Sequence, residues 1–462
     1  MRIRSWSRAV LASSLALASS ACSGAPDTSH TVGNAPGGEL VPPPVGGPPS
    51  RGIGDGSSMS SGTAMGTGGT GTGATTGSGA TTGSGATGTG GSSGTGSSTS
   101  TGASMSPPNP VPPSGLSLKV AGNRLIDGNG KTVRLLGVDR SGQEFKCIQG
   151  GSPGALGWGI FDGPTDLASA QAIGAWHANT VRVPLNESCW LGINGVDAQW
   201  SGANYQAAIK SYVATLHQAG LYVILDLHWT SPGTAPAAAQ QPMPDADHAI
   251  AFWTSVATTF GADTGVVLDL FNEPYIYAGD MSNPGQDPWD CWLNGCSFKQ
   301  YVTGGNPYQQ SYTWNAVGMQ KLVDTVRATG ATNVLMAGGL EWSNDLTGWL
   351  AHKPQDPHNS LVASWHSYPS QTCSSMSCWA TTIEGVAAQV PVVTGEVGDS
   401  VCNAPNYMPE LLPWANQLGL SYLGWTWNTW SDCANVLIKD YTGTPTTNFG
   451  QAFHDMLLVA NP

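Results

Sequence analysis

Two glutamates in this chain stand where acid chemistry could be done. Glu273 lies in Phe271-Asn272-Glu273-Pro274, directly after the apolar run Val266-Val267-Leu268-Asp269-Leu270, and Glu396 directly follows Pro391-Val392-Val393-Thr394-Gly395. Both runs have the length and β-branched content of buried strands. Each acid is therefore expected at a strand end, where barrel enzymes keep their reactive groups. Two carboxyls so placed can divide the work of breaking a glycosidic bond, one supplying a proton and the other meeting the developing positive charge.

Composition limits what can surround this pair. The chain has 462 residues, and Gly, Ser, Thr and Pro dominate up to about 114, leaving too few apolar side chains there to offset the entropy of ordering. The remainder, 115–462, has the size of a single α/β barrel with insertions. A net charge of -13 with only 10% charged residues argues against a nucleic-acid partner, whose phosphates need clustered Lys and Arg. Residues 1–22 read as an export signal, with Arg2, Arg4 and Arg8 ahead of an apolar stretch too short to span a bilayer. Nine cysteines leave one over in an oxidising compartment, and Cys22 stands far from the rest. Leu17-Ala18-Ser19-Ser20-Ala21-Cys22 resembles a bacterial lipoprotein cleavage site, which implies a lipid anchor on Cys22 at the outer face of the envelope; ordinary cleavage and secretion is the alternative. Residues 23–114, in which Gly73-Ala74-Thr75-Thr76-Gly77-Ser78 recurs at 79–84, would then be a flexible tether.

Beyond the tether, helical and strand patterns alternate, as in parallel βαβ units. Asn129-Gly130 predicts a hairpin across the barrel bottom. The stripe Tyr205, Ile209, Val213 and Leu216, stopped by Gly220, leads into a strand at 222–227, and Met319, Leu322, Val323 and Val326 with Gly330 repeat the unit. Strands near 135, 181, 224, 268, 335, 363, 393 and 424 number eight, which closes a TIM (β/α)8 barrel. No glycine-rich phosphate loop follows the first strand, which argues against an open dinucleotide-binding sheet.

Numbered this way, the strands end in Arg182, His228, Asn272-Glu273, His366 with Tyr368, Glu396, and Trp425-Thr426-Trp427. In these residues the chain resembles glycoside hydrolase family 5, a cellulase-type clan of retaining barrel enzymes, over essentially 118–460. The resemblance implies Glu396 as nucleophile and Glu273 as acid and then base. It implies Arg182 and Tyr368 as the groups keeping Glu396 charged, Asn272 as holder of a sugar 2-hydroxyl, His228 and His366 as orienting residues, and Trp427 as the floor of the cleaved sugar's site. It also implies a retaining endo-β-1,4-glucanase acting on β-glucan polysaccharide as a monomer. A mannanase or related β-glycanase, and a non-catalytic glycan-binding protein on the same scaffold, stay open.

Further expectations rest on the residues alone. Asp226 is expected to face the barrel wall. No His-Glu-x-x-His or close histidine pair occurs, so neither a catalytic metal nor a cofactor is expected. Sequence proximity pairs Cys147 with Cys189, Cys291 with Cys296, Cys373 with Cys378, and Cys402 with Cys433. The long segment 275–312 after the acid should wall the leaving-group side, with Trp289 and Trp292 as sugar platforms. Trp342, after strand five, is a further candidate, and Trp158 is among the loop tryptophans that could stack on sugar.

Overall fold

The computed structural model describes residues 116–152, 154–277, 281, 285–301, 311–399 and 407–461. Residues 1–115, and with them Cys22 and the tether, lie outside the described residues.

Eight parallel strands close a barrel: β1 (Leu136–Asp139), β2 (Thr180–Asn186), β3 (Tyr222–Trp229), β4 (Val266–Asp269), β5 (Leu335–Gly338), β6 (Leu361–Ser367), β7 (Val392–Val397) and β8 (Ser421–Gly424). Around the ring they run in sequence order, β8 pairing with β1 through Tyr422↔Leu136 and β4 with β5 through Leu268↔Leu335. Every residue of all eight is buried, which is why they read as apolar runs with no alternation. The helices between them, such as Ala203–Gln218 and Ala249–Phe260, press one apolar face on the ring; the first buries Tyr205, Ile209, Tyr212, Val213, Leu216 and His217.

Inside the ring the side chains are layered. Ile224, Val267, Met336, Val362, Val393 and Leu423 form an apolar floor with Leu118 and Leu125. Leu125 comes from the expected hairpin, in which Arg124–Ile126 pairs antiparallel with Thr132–Val133 and Gly130 takes φ 80°. Side chains two residues apart on a strand share a face. Asp226 follows Ile224 by two and Asp269 follows Val267 by two, so both stand above the floor and inside the barrel. The expectation that Asp226 faces the wall is therefore wrong; its side chain contacts Arg182 and His228, which also point inward.

Strict alternation would aim Gly395, and not Glu396, into the barrel above Val393. A bulge corrects this: Thr394 pairs with Trp365, and Glu396, skipping one residue, pairs with His366. Only glycine fits at the skipped position, because a Cβ on Gly395 would lie 2.9 Å from His366 Nε2 and 2.9 Å from Ser364 Oγ.

Candidate active site

Arg182 is fully buried at the centre of the polar layer. Its guanidinium donates to Glu396 Oε1 at 2.9 Å, Asn272 Oδ1 at 2.9 Å, Asp139 Oδ1 at 3.1 Å and Asp269 Oδ2 at 3.2 Å, and lies 3.2 Å from Asp226 Oδ2. The other oxygen of Glu396 accepts from the Tyr368 hydroxyl at 2.6 Å. Burial, followed by the charge of Glu396, pushes the Tyr368 phenol well up, so the proton stays on Tyr368 and the donor remains a donor. Glu396 is thus held from both oxygens by groups that favour its charge.

Glu273 has a different setting. One carboxyl oxygen lies 3.0 Å from His366 Nδ1, and the side chain keeps 17% exposure. Burial first, and the charge of Glu396 second, raise its pKa well above the ordinary glutamate value. Burial, with the charges of Arg182 and His228, pushes His366 well down, so the imidazole beside Glu273 is neutral. One oxygen of Glu273, one oxygen of Glu396 and a ring nitrogen of His366 all lie within 4.8 Å of one another. So close an approach is on the side of the roughly 5–5.5 Å carboxyl spacing of double displacement and not of the roughly 6.5–9.5 Å spacing of single displacement.

His228 Nδ1 donates to Asp226 Oδ2 at 2.8 Å, and its ring lies parallel to Trp425 with centroids 5.3 Å apart. Burial opposes the imidazolium, but the charge and hydrogen bond of Asp226 outweigh it and raise the His228 pKa. Below this level Asp139, Asp226 and Asp269 are buried to 0% exposure around one guanidinium. Burial overrides Arg182 at two of them, raising Asp139 well above the usual range and Asp269 to about 7. Sequence reading missed this cluster. Its signal was available: Asp226 precedes His228 by two, and Asp269 interrupts an otherwise apolar run.

The predicted residues Arg182, His228, Asn272, Glu273, His366, Tyr368 and Glu396 come together, but Trp427 does not join them. It is 1% exposed and meets Trp176, edge to face, at 4.9 Å in the outer layer. β8 ends at Gly424, so strand alternation does not carry to Trp427. Trp425, two residues after the floor residue Leu423, takes the place beside His228.

The aromatic expectations for the insertion are also corrected. Trp292 is fully buried and donates to the Gly338 carbonyl at 2.9 Å, while Trp289 is 8% exposed between Trp292 and His352. Both sit on the helix Pro288–Asn294, begun by Asp287 and tied by Cys291–Cys296, and both serve packing. The more open rings beside the acid are Trp342, half-buried, and the exposed Tyr277, edge-on to it; Tyr275, as buried as Trp289, stacks against Trp342 at 4.8 Å and backs it. Trp342 holds the left-handed φ of 57°, as do its neighbours Glu341 and Ser343.

Cys147 is joined to Cys189 and Cys373 to Cys378. Cys433 is also disulfide-bonded, and Cys402 lies outside the described residues. Two groups among the described residues have the spacing to grip a cation, the Glu273–His366–Glu396 set and Asp245 with Asp247 and His248. In the first, Arg182 already supplies the positive charge; in the second, Asp245 Oδ1 accepts from the backbone N–H groups of Asp247 and His248.

The chain is similar to an endoglucanase of Clostridium saccharobutylicum, at 21% identity over 72% of this chain and 61% of that one, and so spans about three-fifths of that relative's length. Among solved structures, a β-glucanase from Saccharophagus degradans aligns with a TM-score of 0.56 and 20% identity, over 78% of this chain and 99% of that one. The catalytic domain of a mannanase from Streptomyces sp. SirexAA-E aligns with a TM-score of 0.51 and 22% identity, over 76% of this chain and 94% of that one. The sequence profile of the cellulase family matches residues 138–431, well over half the chain, from within β1 to the loop after β8. With a closed barrel whose strand ends gather two glutamates, an arginine and a tyrosine into one constellation, the chain belongs to glycosyl hydrolase family 5.

Proposed function

We propose that this protein is a retaining endo-β-1,4-glucanase that cleaves cellulose-like or mixed β-glucan by double displacement. The observation that carries this is the contrast within the short Glu273–Glu396 pair: one acid accepts a hydrogen bond at each oxygen, from Arg182 and from Tyr368, while the other has a raised pKa and keeps part of its side chain exposed. Glu396 attacks the anomeric carbon while Glu273 gives its proton to the departing glycosidic oxygen. The deprotonated Glu273 then takes a proton from water, and that water's oxygen displaces Glu396 from the same carbon. Arg182 and Tyr368 keep the nucleophile ionised before attack and stabilise it again as it leaves. Asn272, turned by Arg182, meets the 2-hydroxyl, and the Trp425–His228 stack borders the cleaved sugar.

Trp342, backed by the buried Tyr275 and flanked by the exposed Tyr277, forms the platform for the leaving-group side. Binding alone would have no use for an acid with a raised pKa beside a charged carboxylate, which disfavours a glycan receptor. Mannan is the second reading, supported by the likeness to a mannanase. On the signal-like residues 1–22 and the Gly/Ser/Thr-rich 23–114, we further propose export and attachment to the envelope through lipid on Cys22. Reducing-sugar release from carboxymethylcellulose, barley glucan, mannan, xylan and xyloglucan tests the substrate. Release from the two glucans above all others is expected, and preference for mannan would replace the glucan assignment.

A further inference from the structure

β4 ends at Asp269, so the carbonyls of Asn272 and Glu273 lie beyond its ladder and are held by side chains. Ser343 Oγ donates to the Asn272 carbonyl at 2.8 Å, and Gln240 Nε2 to the Glu273 carbonyl at 2.9 Å. Gln240, in the loop after β3, makes a second contact, in which its Oε1 accepts from Asn272 Nδ2 at 3.1 Å. The outer partners fix the orientation of both amides. A guanidinium only donates, so Asn272 must turn Oδ1 to Arg182, 2.9 Å away; a backbone carbonyl only accepts, so Gln240 must turn Nε2 to Glu273. The donors therefore run one way, from Arg182 through Asn272 and Gln240 to the carbonyl of the acid, and each bond polarises the next. The same guanidinium donates to Glu396, so this run of bonds joins the two acids.

We propose that Gln240 is a positioning residue of the cleavage reaction: it occupies one N–H of Asn272 and holds the backbone of Glu273, so that the other N–H of Asn272 meets the sugar 2-hydroxyl while the acid faces the departing oxygen. This inference rests on the glucanase reading above. Asn272 Nδ2 carries two hydrogens; Gln240 takes one, and His228 Nε2, at 3.4 Å, is farther than a good N–H bond reaches. Without Gln240, Arg182 alone would hold the Asn272 amide, through Oδ1, and its N–H bonds would lose their nearest partner. The loop itself does not depend on the Gln240 side chain. The Ala237 carbonyl accepts from Asn186 Nδ2 at 2.7 Å, the Ala237 N–H donates to Ser188 Oγ at 3.1 Å, and the Pro242 carbonyl accepts from the Tyr275 N–H at 2.8 Å. Shortening Gln240 thus removes two hydrogen bonds at the site and leaves in place the backbone that carries it.

The full-length enzyme, its Gln240→Ala and Asn272→Ala variants and the double variant are compared on dinitrophenyl β-cellobioside, whose leaving group departs without a proton, and on its analogue lacking the 2-hydroxyl of the cleaved sugar. Gln240→Ala should lower kcat/KM about ten-fold on the parent glycoside, as for loss of one hydrogen bond in the transition state, and leave the 2-deoxy analogue nearly unchanged. In the Asn272→Ala background the same substitution should cost nothing further, because its path to the sugar is gone. Gln240→Glu, which keeps the acceptor for Asn272, should retain most of the preference for the 2-hydroxyl. Equal losses on the two glycosides, additive losses in the double variant, or no loss in Gln240→Ala would each overturn the proposal while leaving the glucanase reading intact. A wild type that accelerates both glycosides equally over their spontaneous hydrolysis would overturn the contact between Asn272 and the 2-hydroxyl, and the role of Gln240 with it. A wild type inactive on the cellobioside but active on the mannobioside would overturn the glucan reading alone, and the mannobioside pair would then decide on Gln240 by the same comparison.

Discussion

The surroundings of Glu273 and Glu396 differ more than their sequences suggest, since both follow apolar strands. Glu396 is held in the barrel by a glycine bulge, with a guanidinium on one oxygen and a phenol on the other. Glu273 lies past the end of β4 and meets a neutral imidazole. The same functional group thereby accepts hydrogen bonds at both oxygens in one place and has its pKa raised by burial and a like charge in the other. Where donors converge, the carboxylate is favoured; where burial and a like charge dominate, the acid is.

Removing each member separately tests this contrast most severely. Glu396→Ala should lower kcat by ~10⁴-fold or more on every substrate, because no covalent intermediate can form. Glu273→Ala should cost about 10²–10⁴-fold on polysaccharide but far less on an aryl glycoside whose phenolate leaves without a proton. The alkaline limb of kcat/KM belongs to the group that must stay protonated. It should lie well above 4.5, as the upward shift of Glu273 requires, and should vanish in Glu273→Ala assayed on the aryl glycoside. An alkaline limb unchanged in that variant would assign the proton to another residue.

A smaller effect sharpens the comparison on the leaving-group side. Trp342→Ala should weaken binding of long oligosaccharides about ten-fold while leaving stability nearly unchanged, as expected for loss of one aromatic contact. Trp292→Ala should do the reverse, costing about 3–5 kcal/mol of stability, because it empties a filled site in the core. Thermal unfolding and oligosaccharide kinetics on both variants separate the two roles. Equal loss of stability in both would remove Trp342 from the cleft.

All eight strands, the bottom hairpin and seven of the site residues were legible because buried parallel strands write long apolar runs broken by polar residues, although Arg182, expected at the end of β2, is the third residue of a strand that continues to Asn186. The aspartates under Arg182 were missed because a polar residue inside an apolar run was read as an exception and not as the next inward position after Ile224 or Val267. Trp427 and Trp425 could not be separated by composition, and the decision depended on where β8 stops. Trp289 and Trp292 were misplaced for a related reason: a loop tryptophan that packs and one that binds sugar have the same sequence signature, and only burial distinguishes them. The bulge at Gly395 was invisible too, although the Gly-Glu pair is what allows the acid to turn inward.

The central claim is that the two carboxyls act in succession through a covalent intermediate. Proton NMR of the reducing-end anomer, recorded within the first turnovers on a β-linked oligosaccharide and before mutarotation, tests it directly. The double displacement inferred from the Glu273–Glu396 separation predicts that the β anomer appears first; initial appearance of the α anomer would contradict it.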